Sequence, residues 1–63
     1  MKNKILKLRK SKGFTQAELA KKCNVSRQTI NAIENDRYDP TLKLAFKIAS
    51  TLNTTVDNVF QPE

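Results

Sequence analysis

Arg27, Gln28 and Asn31 stand close together in a short segment whose other residues are small or apolar. A guanidinium and two primary amides are the groups that can pair with two atoms of one base. Arginine suits the O6 and N7 edge of guanine, and glutamine or asparagine suits the N6 and N7 edge of adenine. Ala32, beside them, has the size to meet a thymine methyl. At helical spacing these four share an outward face, while Ile30 and Ile33 take the opposite one and Val25 lies beneath. Folding does not need the polar four, since the packing face is already supplied. An ordinary polar helix face is the plainer alternative.

A second set suits phosphate, which positions a protein on a duplex without reporting its sequence. Gln16 falls where the preceding helix should begin, and free amides and the helix dipole attract an anion there. Ser26 and Thr29 carry hydroxyls, although Ser26 is also placed to cap a helix. Asn35, Arg37 and Tyr38 follow the polar face, and for Tyr38 packing against Pro40 competes with a backbone contact. Lys10 and Lys12 are weaker candidates of the same kind.

Other chemistries are poorly served. The chain has no histidine and a single cysteine, Cys23, so neither an internal disulfide nor an ordinary zinc site can be built. Paired carboxylates on one helical face and a glycine-rich phosphate loop are missing too, which argues against an enzyme. Cofactor and metal are therefore expected to be none. Cys23 reads as a small core residue rather than a redox sensor. The net charge is +6, unevenly spread. Residues 1–37 hold ten Lys/Arg against three acidic residues, a balance of +7, and residues 38–63 carry −1. The positive field belongs to the half that bears the polar face, as a polyanionic partner would require. No apolar run is long enough to span a membrane and no secretion signal is evident, so the expected location is cytoplasmic. The first helix is lysine-rich but lacks Trp or Phe on its apolar face, which disfavours a membrane-surface role.

Sixty-three residues allow one domain, 1–63, and the elements that must position these side chains read as five short helices. Strand signals are absent. The first helix is expected over about 3–12, closed by Gly13 in a left-handed conformation. Thr15 and Glu18 form a capping box for the second, which runs to about Cys23 with Leu19, Ala20 and Cys23 inward. Asn24 can turn left-handed, and Ser26 caps the third, to about Asn35. After the turn cluster 35–40 the fourth, about 41–52, presents Leu42, Ala45, Ile48, Ala49 and Leu52 at helical spacing. A last helix after Thr55 contributes Val56, Val59 and Phe60.

Residues 16–35 thus have the dimensions of two short helices joined by a tight turn. With Thr15-Gln16-Ala17-Glu18-Leu19-Ala20, Val25-Ser26-Arg27-Gln28-Thr29-Ile30, Ile33-Glu34-Asn35, Pro40-Thr41-Leu42, Ala45, Ile48-Ala49, Leu52 and Phe60, nearly the whole chain resembles the Xre-like helix-turn-helix regulators of the phage repressor and Cro type. One departure is Asp36, where that family often has glycine. The resemblance implies an all-α, compact five-helix repressor-type domain that binds double-stranded DNA, its second motif helix in the major groove. It implies a phosphate-binding role for Gln16. It also implies a partly buried ion pair between Arg9 and Glu34, which a stray charge in each helix's apolar surroundings would favour; Arg9 as a base reader is the alternative.

A single module covers little DNA, so a homodimer on a palindromic operator is expected, acting as a repressor. Its interface is expected at the neutral-to-acidic end, from Leu44, Leu52, Val56, Val59 and Phe60 with the tail Gln61-Pro62-Glu63. Leu44 and Phe60 are the residues expected to lie partly outside the monomer core. A rival reading is an antitoxin-type protein-interaction module, which would generally bind DNA as well. No small-molecule ligand is evident.

Overall fold

In the computed structural model, which describes residues 1–61, seven elements follow one another. They are β1 (Lys2–Asn3), α1 (Ile5–Ser11), α2 (Gln16–Cys23), α3 (Arg27–Glu34), α4 (Leu42–Thr51), α5 (Val56–Val59) and β2 (Phe60–Gln61). Five helices among the described residues match the expected all-α architecture. The strand pair is an addition: β1 and β2 are antiparallel, with Lys2 opposite Gln61 and Asn3 opposite Phe60. So short a ladder has no alternation to read. It arises because the two ends of the chain meet, and Lys4 N–H donates to the Val59 carbonyl at 2.8 Å beside it. The same pairing delays α1, which begins at Ile5 rather than near residue 3.

Helices α2 to α4 start, and α1 to α4 stop, for local reasons. The capping box is formed: Thr15 Oγ1 accepts from Glu18 N–H and the Glu18 carboxylate accepts from Thr15 N–H. Ser26 and Thr41 cap α3 and α4 through their hydroxyl oxygens. At the other end all four close in the same way, on a left-handed residue that is the cap itself in α2 and lies one place past the cap in α1, α3 and α4. Gly13, Asn24, Asp36 and Asn53 have φ of 75°, 59°, 63° and 58°. Their amides reach back three residues, and the next residue's amide reaches back five, as in Phe14 to Arg9, Val25 to Ala20, Arg37 to Ala32 and Thr54 to Ala49. This Schellman pattern satisfies carbonyls that a helix end leaves without partners. A Cβ at Gly13 would meet nothing within 4 Å, so glycine serves the backbone angle there and not a close approach.

The core gathers one face from every helix. Ile5, Leu19, Ile30, Ile33, Ile48, Leu52 and Val59 are fully enclosed, with Ala20, Cys23, Ala45, Ala49 and Phe60 around them. Cys23 is a buried free thiol whose Sγ donates to Thr51 Oγ1 at 3.7 Å, and burial pushes that thiol up from its ordinary pKa. Two expectations need correction here. Leu52, Val59 and Phe60 lie inside the single chain's own core, so they are not an available partner surface, and Phe60 is not partly outside it. Phe60 is drawn inward because the ladder with Asn3 fixes its backbone at the edge of the core. Conversely Leu42, expected inward on α4, is 70% exposed, because no element among the described residues covers that side of the helix's first turn. Leu44 and Val56 remain half-buried, while Pro62 and Glu63 fall outside the described residues. No helix among the described residues is long and apolar enough to cross a membrane.

Candidate nucleic-acid interface

The helix-turn-helix unit is set by three local devices. Ala20, 2% exposed, lets α3 cross close to α2. Asn24 takes the left-handed turn, and Val25 then packs against the core from below. Ser26 starts α3 with an oxygen on the Thr29 amide at 3.1 Å. With Ile30 and Ile33 buried, the opposite face of α3 has to look outward. Arg27, Gln28 and Asn31 are exposed on it, and Ala32 is half-buried at its margin. Gln16, from the first turn of α2, joins Arg27, Gln28 and Asn31 around a polar cleft of about 250 Å3. A neighbouring cleft brings Lys10 to the same place beside Gln16 and Arg27.

Behind this face lies the Arg9–Glu34 pair. Arg9 Nη2 and Nε donate to Glu34 Oε1 and Oε2 at 2.9 and 3.1 Å, and Nη1 donates to the Phe14 carbonyl at 2.9 Å. Both side chains are nearly enclosed, at 10% and 7% exposure. A buried charge is tolerable when every polar atom finds a partner, and among the described residues no buried side-chain nitrogen or oxygen lacks one. Gln16 Nε2 also donates to Glu34 Oε1, at 3.3 Å, and Asn31 Nδ2 donates to Gln16 Oε1 at 3.3 Å. The structural pair and the outward face are therefore one network.

The remaining candidates are more dispersed. Ser26 Oγ and Thr29 Oγ1 are 2.9 Å apart and share a hydrogen bond, so part of their capacity is used locally. Asn35 spends an N–H on the Asn31 carbonyl at 2.9 Å, closing the helix. Arg37 is exposed, and Tyr38 is half exposed just beyond the end of α3. Around them the Met1 ammonium meets Asp36 at 2.6 Å and Asp39 at 3.0 Å. Those two carboxylates, Asp36 first, push the amine up to about 10 from its ordinary 8.0.

Sequence reasoning missed the Asn3 side chain, which reaches α3, and the exposed pair Leu42 and Phe46 on α4. The second carried a signal, since two large apolar residues four apart share one face of a helix. Asn3 carried none. No group of His, Cys, Asp and Glu among the described residues could hold a metal ion.

Comparison with known proteins places this arrangement. The helix-turn-helix family model matches residues 5–59. An uncharacterized helix-turn-helix transcriptional regulator of Methanocaldococcus jannaschii, MJ0272, is 53% identical over 60 residues, covering 95% of this chain and 91% of the relative. The immunity repressor protein of Bacillus phage phi105 is 37% identical over 60 residues, 95% of this chain but 42% of the repressor. Among solved structures, SinR, the master regulator for biofilm formation, in complex with DNA superposes with a TM-score of 0.76 at 30% identity. That match covers 82% of this chain and 84% of that one. Two longer matched chains, the clp gene regulator ClgR from Corynebacterium glutamicum and a chain of a SinR–SinI complex, are spanned over only 55% and 52% of their length.

Proposed function

This chain belongs to the helix-turn-helix family of transcriptional regulators, and on that premise we propose that it is a repressor acting as a homodimer on a two-fold symmetric site in double-stranded DNA. The observation that supports it best is the exposed face of α3, where Arg27, Gln28 and Asn31 surround one polar cleft with Gln16. In the major groove those three side chains read base edges, with Ala32 at the margin. Gln16 holds phosphate with the amide hydrogen that Glu34 leaves free, helped by the positive end of α2. Ser26, Thr29, Asn35, Arg37 and Tyr38 supply further backbone contacts.

One such module covers roughly 600–1,000 Å2 on DNA, and two copies on half-sites about 34 Å apart double the contact and its specificity. The surface for the second copy is the exposed apolar part of α4 and α5. Leu42 and Phe46, four apart on α4 with exposures of 70% and 58%, form its centre, and Phe46 shares one cleft with the half-buried Val56 and another with the half-buried Leu44. Repression then needs only occupancy, because a bound dimer excludes other proteins from its DNA. Sedimentation of the protein with and without a selected operator tests this reading. The expected species is two chains per operator, disrupted by Phe46→Lys. A single chain bound at saturating protein would overturn it.

A further inference from the structure

The first residues of the chain hold the far end of the recognition helix. Asn3 Nδ2 donates to the Ile33 carbonyl at 2.9 Å, and its Oδ1 accepts from Ile5 N–H at 3.1 Å. Its backbone is fixed in the ladder opposite Phe60. The Ile33 carbonyl also accepts from Asp36 N–H at 3.0 Å, so it lies within the turn that closes α3. Arg37, whose amide bonds to Ala32 at 2.9 Å, and Tyr38 leave that turn directly. The Met1 ammonium, paired with Asp36 and Asp39, holds the same loop from outside.

We infer that Asn3 is a positioning residue for the DNA interface, tying the turn after α3 to the β1–α1 corner and so setting where Arg37 and Tyr38 meet the phosphate backbone. This rests on the DNA-binding reading above. The chemistry calls for an amide. One atom must accept from α1 while the other donates to α3, and aspartate, of the same size, can do only the first. Both lone pairs of the Ile33 carbonyl are engaged, by Asp36 and Asn3, so a carboxylate in place of Asn3 would face an oxygen with no proton between them.

The test uses Asn3→Asp and Asn3→Ser in the full chain, each alone and combined with Arg37→Ala. Both variants keep an acceptor for Ile5 N–H, and neither donates to Ile33 as the asparagine does. Amide hydrogen exchange in free protein is expected to quicken at Asp36 and Arg37 and to stay unchanged at Asn24 and Val25, the matching turn of α2. Affinity is expected to fall roughly three- to tenfold, the scale of one net hydrogen bond, equally on operator and random duplex. Base preference should stay unchanged, and the loss should largely vanish in the Arg37→Ala background. Unaltered exchange at Asp36 and Arg37, or losses that multiply with Arg37→Ala, would overturn the inference. A wild-type protein that ignores duplex DNA would instead defeat the functional reading, and the exchange measurement would still judge the tie itself.

Discussion

Asn31 Nδ2 donates to Gln16 Oε1 at 3.3 Å, and Gln16 Nε2 donates in turn to Glu34 Oε1 at 3.3 Å. The direction of this chain is set from its buried end. The Glu34 carboxylate, held by Arg9, can only accept, so Gln16 must present its amino group inward and its carbonyl outward. Asn31 then meets that carbonyl with its own amino group. Its Oδ1 and second N–H are left for the pattern that adenine offers in the major groove.

Gln16 therefore serves two ends, and Gln16→Ala is expected to show both. Affinity should fall on every sequence, because a phosphate contact is lost, and the adenine preference at the Asn31 position should weaken because that amide is no longer held. Binding to a panel of single-base operator variants measures each effect. A preference profile identical to wild type would mean that Gln16 touches phosphate alone.

Gln28 has no such support in the network and should act on one base pair. Gln28→Ala is expected to cost about 1–3 kcal/mol at that position and little elsewhere. The same operator panel decides it. A uniform loss across all positions would reassign Gln28 to the backbone set.

Removing one partner of the Arg9–Glu34 pair should harm the fold more than removing both. Arg9→Met leaves a nearly enclosed carboxylate without its cation, a loss of about 3–5 kcal/mol by urea denaturation. Arg9→Met combined with Glu34→Leu should recover a large part of that stability. It should also impair base preference at Asn31, since nothing then orients Gln16. Additive losses in the double variant would contradict the pairing.

Acid stability should report the capping box. Hydrogen bonds from Thr15, the backbone one foremost, hold the Glu18 carboxyl below its ordinary 4.5. A group depressed in the folded state stabilises it above the unfolded value, and that contribution fades as pH falls through the folded value. Wild type should therefore exceed Glu18→Gln in melting temperature at pH 7, with the gap closing below about pH 4.5. A gap independent of pH would assign the effect to packing.

The helix-turn-helix unit was legible because its determinants are local. Thr15 with Glu18, Asn24, Ser26, and the spacing of Ile30 and Ile33 each specify one turn of chain. Asp36, which stands where the resembled family often has glycine, and Asn53 close α3 and α4 in the same left-handed way, and both could have been read by the same rule. What escaped was non-local. The meeting of Lys2–Asn3 with Phe60–Gln61 pulls Phe60 into the core and sends the Asn3 amide to Ile33. Periodicity placed Leu42 on the buried stripe of α4, but a stripe says only which residues share a face. Whether a neighbour extends far enough to cover its first turn depends on the packing of other elements.

The central claim is that α3 reads base sequence in duplex DNA, and selection from random duplexes by the purified protein at two salt concentrations tests it most directly. The account predicts a two-fold symmetric motif, affinity that falls steeply as salt rises, and loss of the motif with retained weak binding for Gln28→Ala with Asn31→Ala. Recovery of no motif by wild type, or of the same motif by that double variant, would contradict it.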